Sequence, residues 1–274
     1  MGRERRLICL PKNPFRAPSP APPMNIVACV KRVPSTEAVA KPTADGKGLD
    51  ASEFQYMISF YDKIAVEQAV QTKEAAGSGE VTVLTLGPAA GTKEIRECLA
   101  KGGDKAVVLT DDDWQSRDAR STAKALVAQL STMSADVVFM GRVATDRDNA
   151  AVGPMVATYL GWPCVTDVIG LEIADGKGCA KVETDAGIET VEFQLPAVIT
   201  CQKGLNEPRT AGLKGIMAAK KKPLEELSPE AVENQSDVVE VALPAARKEG
   251  RIVGEGADAV PALIDALQNE AQVL

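Results

Sequence analysis

The stretch GRVATDRDNAAVGP, Gly141 to Pro154, gathers groups that could hold a charged ligand. A glycine leaves the apolar run DVVFM, a polar loop follows, and a helical pattern opens near Asn149. The N–H groups at a helix start lack intrahelical partners and carry the positive end of the helix dipole, so such a junction attracts phosphate. Gly141 would let a ligand approach the backbone closely, and Arg142 and Arg147 add positive charge. Asp146 and Asp148 suit a helix cap or the hydroxyls of a ribose. A plain β–α loop with an aspartate cap is the simpler reading of the same residues. Upstream, FYDKIAVEQ opens another helical pattern: Asp62 is placed to cap it, and Tyr61 is either a core ring or one laid over a flat ligand. Neither a G-x-G-x-x-G after a strand nor a P-loop occurs, so the ordinary dinucleotide and ATPase fingerprints are absent.

Other chemistry is excluded by composition. There is no histidine among the 274 residues, which removes the commonest general base and metal ligand. The acidic residues show no catalytic spacing. Six cysteines, Cys9, Cys29, Cys98, Cys164, Cys179 and Cys201, form no C-x-x-C pair and read as buried thiols in a reducing compartment. A net charge of −7 opposes binding to nucleic acid. No apolar run reaches the roughly 18 residues of a membrane span, so an integral membrane protein is not expected.

The elements that must position these loops follow from periodicity. NIVACV (25–30), EVTVLTLG (80–87), KAVVLT (105–110) and DVVFMG (136–141) are short, continuous apolar runs, as strands buried on both faces should be. Between them lie helical patterns over 64–76, 92–103 and 120–133, and another follows at 149–161. This alternation predicts right-handed βαβ crossovers and a doubly wound, mostly parallel α/β sheet. Ligands in such sheets sit beyond the carboxyl ends of the strands, so the loops KRVPST (31–36), GPAAGT (87–92) and 141–154 should share one rim. Over 168–201 the runs become short and turn-separated and predict antiparallel strands added at a sheet edge, the last returning inward.

Three stretches stand outside this frame. Residues 1–23 are arginine- and proline-rich and end at Met24. They read as a disordered extension or a mis-called start, with a targeting segment as the other reading. GLNEPRTAGLKGIMAAKKKP (204–223) carries Leu213, Ile216 and Met217, too sparse for a core helix, and ends in a lysine run expected to be solvated. Residues 229–274 are lean in apolar material, with DVVEVAL and a terminal amphipathic helix AVPALIDALQNEAQVL. They read as an arm that packs elsewhere on the protein or on a partner.

Taken in order, NIVACVKRVP, IAVEQAV, LGPAAGTKEIRECLAKGGDKAV, GRVATDRDNAAVGPMVATYLGWP, LPAVITC and LNEPRTAGLKGIMAAKKKP resemble the electron transfer flavoprotein beta subunit over residues 24–228. The resemblance implies a Rossmann-like, adenine-nucleotide-binding fold and a heterodimer with an alpha subunit. It implies one FAD between the subunits and a structural AMP in this chain, with a second FAD in place of AMP in some bifurcating relatives. By position, the AMP pocket would be Cys29, Ser59, Phe60, Tyr61, Asp62, Leu86, Gly141, Arg142, Val143, Ala144, Thr145, Asp146, Arg147, Asp148, Asn149, Ala150, Ala151 and Val152, with Tyr61 near the flavin. Residues 204–222 match the family's recognition loop, with Leu213 as the anchor docked in a partner dehydrogenase and Arg209, Ile216 and Met217 beside it. The implied role is electron carriage from acyl-CoA-type dehydrogenases to a quinone-linked oxidoreductase, in the cytoplasm or, in a eukaryote, the mitochondrial matrix. Two departures stand out. The family's usual Asn-Pro before the aromatic is here Ser59-Phe60. Its polar phosphate contacts after Asp148 are here Ala150, Ala151 and Val152, which leaves the backbone N–H groups to do that work. A stand-alone adenine-nucleotide sensor is the alternative from another class.

Overall fold

The computed structural model describes residues 23–246 and 249–274, so the reading of the first 23 residues falls, but for Pro23, outside the described chain. Two compact units are present. The larger is Met1–Ala40 with Asp50–Val239, and the smaller is Lys41–Leu49 with Glu240–Leu274.

The larger unit is built on β1 (Met24–Val30), whose alternate residues enter two different cores. Ile26, Ala28 and Val30 face one side and Val27 and Cys29 the other, as the two-residue period of a strand requires. After a short antiparallel ribbon of β2 (Arg32–Pro34) and β3 (Tyr56–Ile58), the chain runs through α1 (Phe60–Ala76) into β4 (Gly79–Gly87). It continues through α2 (Thr92–Ala100), β5 (Lys105–Thr110), α3 (Ala119–Leu130), β6 (Val137–Gly141) and α4 (Val152–Leu160). Ile64, Ala65 and Ala69 of α1 and Ile95 and Leu99 of α2 share the first core; Ala123, Leu126 and Leu130 of α3 and Val156 and Ala157 of α4 share the second. The sheet is therefore covered on both faces, which is why its strands read as unbroken apolar runs.

Then follow β7 (Cys164–Ala174), β8 (Lys177–Thr184), β9 (Gly187–Gln194) and β10 (Ala197–Cys201). The nine-stranded order is β11-β5-β4-β1-β6-β10-β7-β8-β9. β7, β8 and β9 form the expected antiparallel extension, and β10 returns inward, parallel to both β6 and β7. β4 and then β5 step one way from β1, whereas β6 lies on its other side. The switch point is thus the crevice between the ends of β1 and β6.

Three sequence expectations change. The stretch taken for a loop contains α5 (Leu213–Ala219), whose larger apolar side chains face out and so give no amphipathic signal toward a core. The polar LEEL after Pro223 is β11 (Leu224–Leu227), held to the edge of β5 in parallel register by backbone pairing. DVVEVAL (237–243) forms no strand, and in the smaller unit the terminal helix is short: α6 (Val260–Asp265) gives way to a π turn at Ala266–Glu270. Within that unit Pro42 bridges Leu49, and Val241 donates its N–H to the Gly46 carbonyl.

Phe139 on β6 is fully buried and is the largest such side chain. Phe139→Ala should lower unfolding free energy by about 3–5 kcal/mol. Urea unfolding measures it, and a loss below about 1 kcal/mol, the scale of a surface change, would show that β6 does not organise the core.

Candidate functional site

One carboxylate joins the two sides of the crevice. Asp62 is the third residue of α1 and 6% exposed. Its Oδ2 accepts the Lys31 N–H at 2.7 Å, at the end of β1, and its Oδ1 accepts the Gly141 N–H at 3.0 Å, at the end of β6. Asp62 is therefore a strand-bridging residue rather than the helix cap read from sequence. Ser59 holds the N-cap position without capping α1, because its hydroxyl donates to the Val143 carbonyl and accepts from the Thr145 N–H. Burial pushes the Asp62 carboxyl up to about 7, against the pull of the two N–H bonds and the Lys31 charge.

Gly141 is required here by α1, not by a ligand. A Cβ would collide with Asp62 Oδ1 and lie 2.9 Å from the Asp62 nitrogen. Its N–H, which sequence reasoning offered to a phosphate, is taken by Asp62, and the next N–H, of Arg142, continues the ladder to the Cys201 carbonyl. Groups free to meet an anion lie further on. Asp148 and Ala150 have left-handed φ values of 51° and 50°, and Ala151 returns to the right-handed region before α4 opens at Val152. Alternating left- and right-handed residues turn successive N–H groups to one side and form an anion nest. Left-handed Ala150 is strained, and such strain collects where a binding geometry demands it. α4 starts three residues after Asn149, and neither Asp146 nor Asp148 caps it: its N-cap, Ala151, has no side-chain bond. Gly153, in the first turn, packs so close to β10 that a Cβ would lie 2.7 Å from Thr200 Cγ2.

These residues line a cavity of about 140 Å³. Cys29, Leu86, Trp114, Leu126 and Met140 form its apolar base; Lys31, Asp62, Gly141–Ala144, Asp146, Arg147 and Asn149–Gly153 form one polar side. Gln115, Arg117, Asp118, Ala119 and Thr122, between β5 and α3, add a further stretch of wall. Thr145, Asp148, Ser59, Phe60 and Tyr61 are not part of the lining. Phe60 and Tyr61 stack edge to face at 5.3 Å, Phe60 exposed and Tyr61 half-buried. Sequence reasoning missed the wall from Trp114 to Leu126. The signal was available, since DDDWQSRD ends β5 just as the three chosen loops end their strands.

The wall is fixed from both sides. Arg147 donates to the carbonyls of Arg117 and Gln115, tying it to the Gly141 loop. Asn234 accepts from the Asp118 N–H and the Ser121 hydroxyl, and Asp118 caps α3 through the Ser121 N–H. Most positive charge near the cavity is already compensated: Lys31 by Asp146 at 2.6 Å, Arg142 by Asp167 at 2.5 Å and Arg117 by Asp111 at 2.5 Å. Burial lowers the Lys31 ammonium, opposed by Asp146. Arg147 bonds two carbonyls and no carboxylate among the described residues.

Cys29, Cys98 and Cys201 are buried thiols whose pKa burial pushes up. Cys164 is exposed and Cys179 half-buried, so the expectation of uniformly buried thiols fails at these two, and Cys9 lies outside the described residues. No group of three or more candidate metal ligands occurs among the described residues. Leu213 is 76% exposed at the start of α5, with Ile216 and Met217 also exposed, whereas Arg209 is held by Glu67 and Glu74. Of the lysine run, Lys220 and Lys221 are exposed, but half-buried Lys222 donates to the Leu99 and Gly103 carbonyls.

A mostly parallel, doubly wound sheet with a cavity at its switch point makes this a Rossmann-like α/β protein. Residues 49–232 match the family described as electron transfer flavoprotein domain. The electron transfer flavoprotein subunit beta of Bacillus subtilis is 34% identical over 260 residues, 92% of this chain and 100% of that one. That of Mycobacterium bovis is 40% identical over 223 residues, 80% and 84% of the two chains. The protein named electron transfer flavoprotein subunit beta, mitochondrial, of Oryza sativa subsp. indica is 35% identical over 257 residues, 92% and 100%. The chain belongs to the electron transfer flavoprotein beta-subunit family. Membership makes it an electron-transfer component, implies a flavin, and implies an alpha subunit as partner. Among the described residues no helix is long and apolar enough to cross a membrane.

Asp62 makes stability pH-dependent with a definite sign. Its folded pKa is raised, so the folded chain holds a proton that the unfolded chain releases above about pH 4. The contribution is fully present below that value and declines as pH rises through about 7. Asp62→Asn cannot titrate, and its amide sets an NH2 against a backbone N–H, losing one bridging bond at about 1–3 kcal/mol. Urea midpoints at pH 5 and pH 7.5 should show a smaller pH difference in the variant; equal differences would show that Asp62 is not the titrating group.

Proposed function

We propose that this chain is the beta subunit of a heterodimeric electron carrier, with FAD held mainly by the alpha subunit and AMP in the cavity at the β1–β6 crevice. The observation that carries the nucleotide assignment is the nest at Ala150–Ala151, opening onto an uncapped helix start in the lining of a partly apolar cavity. A flat base fits against Leu86, Trp114 and Met140, and one phosphate fits the N–H groups of Ala150 to Gly153. The charge inventory favours a monophosphate over the pyrophosphate of a second FAD, because Lys31, Arg142 and Arg117 are each matched by a carboxylate.

The bound FAD would supply the redox chemistry, accepting and passing electrons without protein side chains forming bonds to substrate. The absence of histidine suits that division of labour. Electrons would come from flavin-dependent acyl-CoA-type dehydrogenases and go to a quinone-linked oxidoreductase, in the cytoplasm or the mitochondrial matrix. Leu213, exposed on α5 beside Met217, is the docking anchor in this reading. One leucine buries little area, worth about 1.5–3 kcal/mol, which suits short-lived encounters with several partners. The stand-alone sensor offers no role for that exposed patch. Residues 229–274 would pack on the alpha subunit.

Co-expression with the alpha subunit tests the reading. The expected product is a yellow heterodimer that releases FAD and AMP in equal amounts on denaturation, identified by mass spectrometry. Gly153→Val, which drives a side chain toward Thr200 and displaces the start of α4, should lower AMP while FAD is retained. A colourless, nucleotide-loaded chain that ignores the alpha subunit would establish the sensor instead, and two FAD with no AMP would overturn the monophosphate assignment.

A further inference from the structure

The segment that displays Leu213 has no core of its own. α5 has seven residues, too few for a helix to persist without tertiary support. Its larger apolar side chains, Leu213, Ile216 and Met217, face solvent. Only Ala219, at its last turn, reaches the core, and Gly215 rests on α2; the rest of what holds it is polar and lies at its two ends.

At the leading end, Arg209 engages two carboxylates of α1. Its backbone N–H and Nε donate to Glu67 Oε2 at 3.1 and 2.9 Å, and Nη2 donates to Glu67 Oε1 at 3.0 Å. Nη1 and Nη2 donate to the two oxygens of Glu74 at 2.7 and 2.9 Å. Glu67 and Glu74 are seven residues apart, about two helical turns, and so share one face of α1. Burial of Glu67, 4% exposed, would raise its carboxyl, but the Arg209 hydrogen bonds outweigh it and hold it below the ordinary range. Asn206 adds bonds to the Ile64 carbonyl and Gln68 Oε1. At the trailing end, Arg96 of α2 donates to the Ala219 and Lys222 carbonyls. The α5 backbone lies directly on α2: a Cβ on Gly215 would sit 2.5 Å from the Ala100 carbonyl oxygen.

We propose that Arg209 is a positioning residue for partner docking: it clamps the leading end of α5 to α1, so that Leu213 is presented in place before any partner arrives. This rests on the docking role of Leu213 given above. Arg209 acts through α5, since four of its five guanidinium N–H groups are engaged by Glu67 and Glu74. A lysine cannot substitute, because the two-carboxylate grip uses the planar fork of the guanidinium. Without the clamp, α5 frays and docking must first re-order it. Re-ordering a single residue's backbone weakens binding by about tenfold, and several residues are at stake.

The test uses the FAD-loaded heterodimer and an acyl-CoA dehydrogenase that reduces it. Arg209→Ala and Arg209→Lys should each raise the KM for the carrier by about tenfold or more while kcat and FAD content hold. With no dehydrogenase present, amide exchange over residues 210–218 should quicken in both, and exchange in α1 should not. Glu74→Gln, which loosens only the exposed half of the grip, should shift KM and exchange in the same direction by less. Unchanged exchange over 210–218, or a fall in kcat at constant KM, would overturn the proposal. If Arg209→Ala does not assemble, Glu74→Gln decides: no change in KM and exchange refutes the clamp. Leu213→Ala separates the two ideas. If it leaves KM unaltered, the docking reading falls and the clamp's role in docking falls with it. If it raises KM but the Arg209 variants do not, only the clamp is refuted.

Discussion

The site depends on one buried carboxylate with two backbone partners. A doubly wound sheet creates a crevice at its switch point, but nothing in the topology sets how the adjacent strand ends stand relative to one another. Asp62 does so here, by accepting one N–H from the end of β1 and one from the end of β6. Leaving either N–H unmatched in the interior would be costly, so the geometry is strongly preferred. The same contact explains why Gly141 has no side chain: the start of α1 occupies the space. Once the strand ends are fixed, the loop after β6 has to turn sharply to reach α4, and the left-handed residues Asp148 and Ala150 are where it does so.

α1 serves two tasks on one rigid element. Its first turn bridges the crevice, and its middle and last turns carry Glu67 and Glu74, which grip Arg209. The cavity and the segment that displays Leu213 are therefore referenced to the same helix. Its C-terminus is defined by Gly77 in the left-handed conformation, whose N–H returns to the carbonyls of Lys73 and Glu74. A helix fixed at both ends is a suitable common frame for two sites that must keep their spacing.

The sheet was legible in the sequence because β1, β4, β5 and β6 are buried on both faces and write themselves as apolar runs. The strand-end rule also located two of the three loops that line the cavity, whereas the loop at 87–92 contributes nothing to it. Contacts that depend on distance in space rather than on pattern were not legible. Asp62 and Gly141 are 79 residues apart, and Arg209 and Glu67 are 142 apart. Asp62 therefore looked like a cap, and Arg209 was placed in the recognition loop beside Leu213 with no sign of its carboxylate partners on α1. α5 was hidden because its apolar residues face outward, inverting the usual signal. β11 was hidden because it is four residues long with two exposed glutamates in the middle; Leu224 and Leu227 pack one on each core, and backbone pairing, which side-chain pattern does not report, does the rest.

β10 lies inside the sheet and β11 at its far edge, so residues 202–223 carry the chain across the whole parallel half, past β6, β1, β4 and β5. Five strand spacings make this about 24 Å. The segment that displays Leu213 is thus also the connection that brings the last strand home. During synthesis β5 keeps an open edge until Leu227 has been made, after that entire segment. An unpaired strand edge is a template for association with other chains. A chain interrupted anywhere in this stretch would lose β11 and so expose an edge able to recruit its neighbours into aggregates.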